Sequence, residues 1–292
     1  QAIADANPGS ELSTRLDAFK RWYAQAGTPR VAARGQYDAE ARRYTLTLSQ
    51  RCEPSPGQPD KLPFVIPVAM GLMAADGTEL APERVLVLEA AEQSWHFDGI
   101  DQPPVHSLLR GLSAPVRLDD GLGDAGRLAL LAHDTDAFNR WEAAQSLMLA
   151  RLLDAVHNGA PPVLDGALAA ALRRTLRDPS LDPAFKELVL TTPGETYIAE
   201  QLPAVDPQRI HTVREQWRRQ LAEQLHADWA WAFEQHQVQA GYAPTSAQAG
   251  RRALANLALQ MLCLNAVSQG DGVWPGRAYQ RFKNASNMTD RL

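Results

Sequence analysis

Apolar and polar positions recur with two different periods along this chain, and the changeover divides it. Over residues 11–26, Leu12, Leu16, Phe19, Trp22 and Tyr23 recur at three- and four-residue spacings, which predicts an amphipathic helix with that face turned to a core. Gly27-Thr28-Pro29 ends it, because glycine is a favoured C-terminal cap and proline cannot continue a helix. From Arg30 the period falls to two. Within Arg43–Gln50, Tyr44, Leu46 and Leu48 alternate with Thr45, Thr47 and Ser49, the pattern of a half-buried strand. Further strands are expected at Phe64–Met73, Arg84–Ala90, Gln93–Phe97, Val105–Arg110, Ala114–Leu118 and Arg127–Ala132. Pro67 marks an edge or a bulge, since it cannot donate to a ladder. Ala75-Asp76-Gly77-Thr78 reads as a tight turn, and the proline-rich stretch between Arg51 and Lys61 as a loop. Short strands at about 8–12-residue spacing predict an antiparallel sandwich of the immunoglobulin kind.

Past His133 the period is helical to the end. Asp134 or Asp136 can cap a helix that places Phe138, Trp141, Gln145, Met148 and Leu152 on one face and stops at Asn158-Gly159. More helices are expected over 163–177, 183–191, 207–237, 246–268 and 275–285, joined by short connectors with no strand between them. This predicts stacked helical pairs. The fold class expected is therefore α+β and multidomain, an antiparallel β-sandwich over 30–132 followed by an all-α, α-solenoid-like array over 133–292, with residues 1–29 a separate helical segment.

Composition narrows the class without naming a function. With 292 residues, 45% hydrophobic and 22% charged, the chain is neither disordered, collagenous nor disulfide-stapled. Its 29 basic and 34 acidic residues give a charge of −5, so no nucleic-acid partner is expected. No apolar stretch approaches the ~20 residues of a membrane helix, and Phe64–Met73 and Leu254–Leu264 are interrupted, so no membrane partner is expected either. Cys52 and Cys263 stand far apart, which suits free thiols in a reducing compartment. With no visible signal peptide, a cytoplasmic location is expected, where the glycosylation triplets at Asn284 and Asn287 carry no meaning.

Candidate chemistry is sparse. Gly121-Leu122-Gly123-Asp124-Ala125-Gly126 matches a dinucleotide fingerprint, but Asp119 and Asp120 precede it and strands are expected on both sides, which makes it a hairpin tip. None of the seven histidines (His96, His106, His133, His157, His211, His226 and His236) has a histidine partner at the i, i+4 spacing that a hydrolytic zinc site uses. Glu92 and His96 are four apart on a strand, where they would stand ~13 Å from each other. His133, Asp134 and Asp136 could hold a cation, but as a helix start they read as a cap. No nucleophile elbow and no P-loop occurs. Trp217, His226, Trp229, Trp231 and Phe233 read as helix packing, with Trp231 off the shared face of His226, Trp229 and Phe233. Arg173-Arg174, Arg218-Arg219 and Arg251-Arg252 read as solvated helix faces. No catalytic, cofactor-binding or metal-binding residue is assigned.

Several segments together resemble the bacterial aminopeptidase N branch of the gluzincin zinc aminopeptidases. Phe19–Pro29 resembles the helix and turn that close that family's catalytic domain. Tyr44–Gln50, Leu62–Gly71 and Leu108–Arg117 resemble its β-sandwich, and Asp136–Leu147 and Asn287–Asp290 resemble helix starts of its C-terminal domain. The family's His-Glu-x-x-His with its downstream Glu, its catalytic Tyr and its Gly-x-Met-Glu-Asn strand are absent from this sequence, so the resemblance assigns no catalytic or metal role to any residue present. It implies that 1–29 is the tail of a catalytic domain, that zinc belongs to the parent enzyme, and that the partners are the catalytic domain of the same polypeptide and short peptides. The first methionine is Met70 and the last residues look like the start of another helix, so a piece of a longer protein is expected. The alternative, from another class, is a stand-alone interaction module built of a β-sandwich and a helical array.

Overall fold

The alternation at Arg43–Gln50 becomes strand β2 (Arg43–Arg51) in the computed structural model of the chain, which describes residues 2–291 apart from the side chains of residues 11 and 12. The core position expected of Leu12 lies outside the described residues. Two compact units make up the chain, one ending at Asn139 and the other beginning at Arg140.

In the first unit, β2 lies between β1 (Arg30–Asp38) and β5 (Glu92–Asp98), and β7 (Arg117–Asp119) extends the sheet in the order β5-β2-β1-β7. The second sheet has the order β4-β3-β6, from β3 (Ile66–Met73), β4 (Glu79–Leu88) and β6 (Val105–Leu108). Between them Val31, Leu46, Leu48, Ile66, Val68, Met70, Leu72, Leu86 and Leu88 are buried, one contiguous apolar cluster drawn from alternate positions. Pro67 is tolerated in the middle strand because β6 pairs with β3 only over Met70–Met73, which leaves β3 a local edge at residue 67. At the turn before β4, Gly77 has φ +90°, and a Cβ there would stand 2.6 Å from Cβ of His133, so both backbone and space require glycine.

Three expectations for this unit are corrected. Residues 11–26 form two helices, α2 (Glu11–Phe19) and α3 (Arg21–Ala24), after a short α1 (Ala2–Ala6). The break at Lys20 docks Trp22, whose ring lies 4.7 Å from that of Phe64 and whose Nε1 donates to Val65 O at 2.9 Å. Tyr23, the next position round the helix, is left 83% exposed rather than core-facing. The strand expected at Ala114–Leu118 shrinks to β7 because Pro115 has no N–H to give, and β7 pairs with β1 in parallel, an exception within an otherwise antiparallel sandwich. Arg127–Ala132 is not a strand but part of helix α4 (Asp124–His133), burying Ala129, Leu130 and Leu131. A short apolar run fits either period, and here the Ala and Leu content with Asp124 in the first turn decides for helix.

The rest is helical: α5 (Ala137–Asn158), α6 (Gly166–Arg177), α7 (Pro183–Leu190), α8 (Glu195–Ala199), α9 (Pro207–Gln224), α10 (His226–Gln235), α11 (Ser246–Gln269), α12 (Val273–Asn284) and α13 (Met288–Arg291). Asp165, Asp182, Asp206 and Thr245 cap four of them through side-chain oxygens. Helix α11 is the axis of the second unit, packing on α7, α9, α10 and α12 through Leu254, Ala258, Met261 and Leu262 among others. Gly250 lets it approach α7 closely, since a Cβ there would stand 2.9 Å from Ala184 N. The single helix expected over 207–237 breaks at Leu225, because the Leu221 carbonyl is shared by the Leu225 N–H and by the Trp229 indole N–H at 3.1 Å. The observed class, a sandwich followed by a helical array, is the one the sequence predicts. No helix among the described residues is long and apolar enough to cross a membrane.

Inside the sandwich His106 is 3% exposed, with Nδ1 2.6 Å from the Tyr44 hydroxyl and Nε2 2.7 Å from Asp120 O. The carbonyl can only accept, so Nε2 carries the proton and Nδ1 accepts from Tyr44. Burial is the largest influence on His106 and pushes its pKa below the ordinary 6.5. The unfolded chain therefore takes up a proton that the folded chain refuses, and stability is lost as pH falls below about 6.5. We expect the melting temperature of the first unit to drop between pH 7 and pH 5 and the drop to shrink in His106→Gln, followed by near-ultraviolet circular dichroism. His236 in the second unit is shifted in the same direction by burial, so His236→Gln serves as the comparison. Equal pH dependence in wild type and His106→Gln would contradict the assignment.

Candidate functional site

The densest polar constellation in the first unit forms where the segment after β6 meets the start of α5. Residues 109–112 leave β6 in a tight turn in which Leu109, Gly111 and Leu112 have φ of 57°, 60° and 55°. Two of these are non-glycine residues in the left-handed region, a conformation that persists only when surrounding contacts hold it. Arg110 supplies them. Its Nε donates to Ser107 Oγ at 2.9 Å, one terminal nitrogen to Glu83 at 2.8 Å, and the other to Asp134 at 2.5 Å and Thr135 Oγ1 at 3.0 Å. The Asp134 side chain is 0% exposed and that of Arg110 14%. Gly71 makes room, since a Cβ there would stand 3.0 Å from the guanidinium carbon. Burial alone would lower the Arg110 pKa, but Glu83 and Asp134 outweigh it and raise it above the ordinary guanidinium value.

The same corner joins Asp136 and Asn139 to the turn. Asp136 accepts from Gly111 N at 2.8 Å through one oxygen and from Asn139 N at 2.9 Å through the other, so it caps α5 and holds the turn at once. Asn139 Nδ2 donates to Ser107 Oγ at 2.7 Å and to Leu108 O at 2.9 Å. The capping reading of this cluster is therefore right for Asp136, while Asp134 is an ion-pair partner instead. Among the described residues no three His, Cys, Asp or Glu side chains gather as metal ligands. The arrangement can fix backbone; it has no nucleophile or base aimed at a reacting atom.

Other candidates are also accounted for. The Gly121–Gly126 motif runs from the segment after β7 into the first turn of α4 and is not at a hairpin tip, which corrects the expectation. Its backbone is nevertheless engaged by its own acids, Gly121 N donating to Asp119 at 3.2 Å and Leu122 N to Asp120 at 2.9 Å. In the second unit Trp217 and Trp229 are fully buried, Phe233 is 8% exposed, and Trp231 lies under the Arg177 guanidinium at 4.3 Å, so these aromatics pack as expected. Asp228 receives Arg173 and Arg177, each at 2.8 Å. Arg252 departs from the solvated-face reading. It is 3% exposed, stacks on Tyr242 and meets Asp290 at 3.2 Å. Burial lowers the Lys186 pKa, partly offset by Asp178 and Asp182. Cys52 and Cys263 are unbridged. The Arg110–Asp134 pair is the feature that sequence reasoning missed; the only local signal was a Leu-Arg-Gly-Leu stretch with no regular period.

Residues 27–121 match a domain of unknown function with an Ig-like fold (DUF3458), and residues 124–292 a domain of unknown function described as ARM repeats (DUF3458_C). Aminopeptidase N of Escherichia coli is 35% identical over 100% of this chain and 34% of its own length. Aminopeptidase N of Caulobacter vibrioides is 39% identical over 97% of the chain and 32% of its own length. The chain thus spans about a third of these relatives. A crystal structure of Legionella pneumophila aminopeptidase A in complex with aspartic acid superposes with a TM-score of 0.80 at 24% identity, covering 94% of this chain and 32% of that one, and shares its fold.

Removing one member of a buried ion pair strands the other charge. We expect Arg110→Met, which keeps the stem, to destabilise the first unit by about 3–5 kcal/mol in urea unfolding. Glu83→Gln, which neutralises a side chain that is 58% exposed, should cost less than about 1 kcal/mol. Losses of similar small size in both variants would refute the central place given to Asp134.

Proposed function

Since the chain belongs to the DUF3458_C family of ARM-repeat domains, carried here behind a DUF3458 Ig-like domain, we propose that it is the non-catalytic portion of a zinc-dependent aminopeptidase that removes N-terminal residues from peptides. The sandwich links this portion to a catalytic domain of the same polypeptide, residues 1–29 are the tail of that domain, and the helical array covers the active site and limits entry to short peptides. The parent enzyme acts on peptides in the cytoplasm. The observation that carries this reading is the 35% identity that runs through the whole chain yet reaches only 34% of aminopeptidase N.

Zinc chemistry belongs to the parent. A zinc ion there would lower the pKa of a bound water and polarise the first peptide carbonyl. The described residues of this chain do not fit that ion, since no three ligand side chains converge. What the chain contributes is rigidity: a sandwich core closed by Leu46, Leu48, Ile66 and Met70, and helices held by buried Trp217 and Trp229. Stiff walls around a chamber exclude water and hold a substrate in a productive pose.

The test replaces the corresponding third of Escherichia coli aminopeptidase N with residues 1–292. A folded, zinc-loaded chimera should hydrolyse alanine p-nitroanilide within about tenfold of the parent, a difference of about 1.4 kcal/mol in barrier. The isolated chain should bind no stoichiometric zinc and give no turnover. A folded, zinc-loaded but inactive chimera would overturn the proposal, as would chelator-sensitive turnover by the isolated chain that survives repurification.

A further inference from the structure

One end of the four-stranded sheet carries an arrangement that the fold itself does not explain. Arg30 on β1 stands directly opposite Arg51 on β2 and directly opposite Arg117 on β7. Partners in register share a face, so three guanidiniums project from one row across adjacent strands, and all three residues are exposed. Like charges directly opposite one another destabilise a sheet. Among the described residues the one ion pair made by the row is that of Arg51 with Glu53, at 3.6 Å with both side chains largely in solvent. Among the described residues Arg30 and Arg117 make no ion pair.

The other end of the same face is built differently. There Thr47 bonds Ser94 at 2.8 Å, Thr45 bonds His96 at 3.0 Å, and Arg43 pairs with Asp98 at 2.6 Å, so each cross-strand neighbour satisfies the next. Only the Arg51–Arg30–Arg117 row stacks one sign of charge. Over it lies a cleft of about 420 Å³, lined also by Ala32, Ser49 and Asp119.

We propose that this row is a docking site for an acidic segment of a partner protein. A guanidinium fork takes a carboxylate through two parallel N–H bonds, and three forks on neighbouring strands span roughly 10 Å. An extended segment covers that distance in about three residues and turns alternate side chains to one face, so carboxylates two or four positions apart can face the row together. The next register level carries Asp119 beside Ala32 and Glu92 beside Ser49. These acids confine the positive strip to one row. A nucleic acid or a long polyphosphate would run onto them, and the chain's charge of −5 gives such a polyanion no long-range attraction. Ala32, small and exposed at the floor of the cleft, leaves the backbone of a segment free to approach.

The experiment titrates the 292-residue chain against fluorescein-labelled hexaglutamate by fluorescence anisotropy at low salt. Saturable binding is expected, lost at high salt and not shared by labelled hexalysine. In Arg30→Ser/Arg117→Ser the affinity should fall at least about tenfold, while the melting temperature at low salt holds or rises, because the repulsion within the row is relieved. Arg219→Ser, exposed on α9, should bind as wild type. The proposal is overturned if wild type shows no saturable binding, if Arg219→Ser loses as much as the double variant, or if the double variant melts lower. Binding of tripolyphosphate without hexaglutamate, or a dimer in sedimentation that the double variant abolishes, would equally overturn it.

Discussion

A buried carboxylate must find a counter-charge or lose its own, and Asp134 finds Arg110. The first unit is arranged around that requirement. Because the guanidinium must reach Asp134, Glu83 and Ser107 together, Gly71 gives way beneath it and the turn at 109–112 accepts left-handed backbone at Leu109 and Leu112. Asp136 then takes the Gly111 N–H and caps α5 with its other oxygen, and Asn139 returns to Ser107 and Leu108. Strand end, turn and helix start become one hydrogen-bonded piece.

The same logic recurs with neutral groups. Gln50, 8% exposed, accepts from Phe64 N and donates to Phe64 O and Ala90 O, so an amide replaces ladder bonds where the chain leaves the sheet. His106 joins Tyr44 to the Asp120 carbonyl. In the second unit Asp228 gathers two arginines from α6. Each of these hydrogen-bonded networks favours one geometry, and a scaffold that has to hold its shape without chemistry of its own is served by such networks. That is the role proposed for this chain beside a catalytic domain.

Elements with a sustained period were legible in the sequence. Tyr44, Leu46 and Leu48 alternate and are buried; the helix after Asp136 starts at its cap. The family resemblance was legible too, because it rests on ordered segments spread along the whole chain. Arg127–Ala132 was misread because a run of five Ala and Leu residues behind Arg127 is too short to separate the two periods. Arg110 with Asp134, and Arg252 under Tyr242, were invisible because a pair formed across the fold leaves no local spacing to read. The Arg51–Arg30–Arg117 row was hidden for a related reason, since strand register is set by pairing and is not written in any one strand.

Native-state hydrogen exchange at Gly111 and Asn139 tests the organising role of the Arg110 corner most directly. Both amides donate to the Asp136 carboxylate rather than to a ladder or a helical carbonyl. If the corner is one cooperative piece with the sandwich, both should exchange only as slowly as the amides of β2 and β3, with the same denaturant dependence. Exchange at loop-like rates while β2 and β3 stay protected would contradict the account.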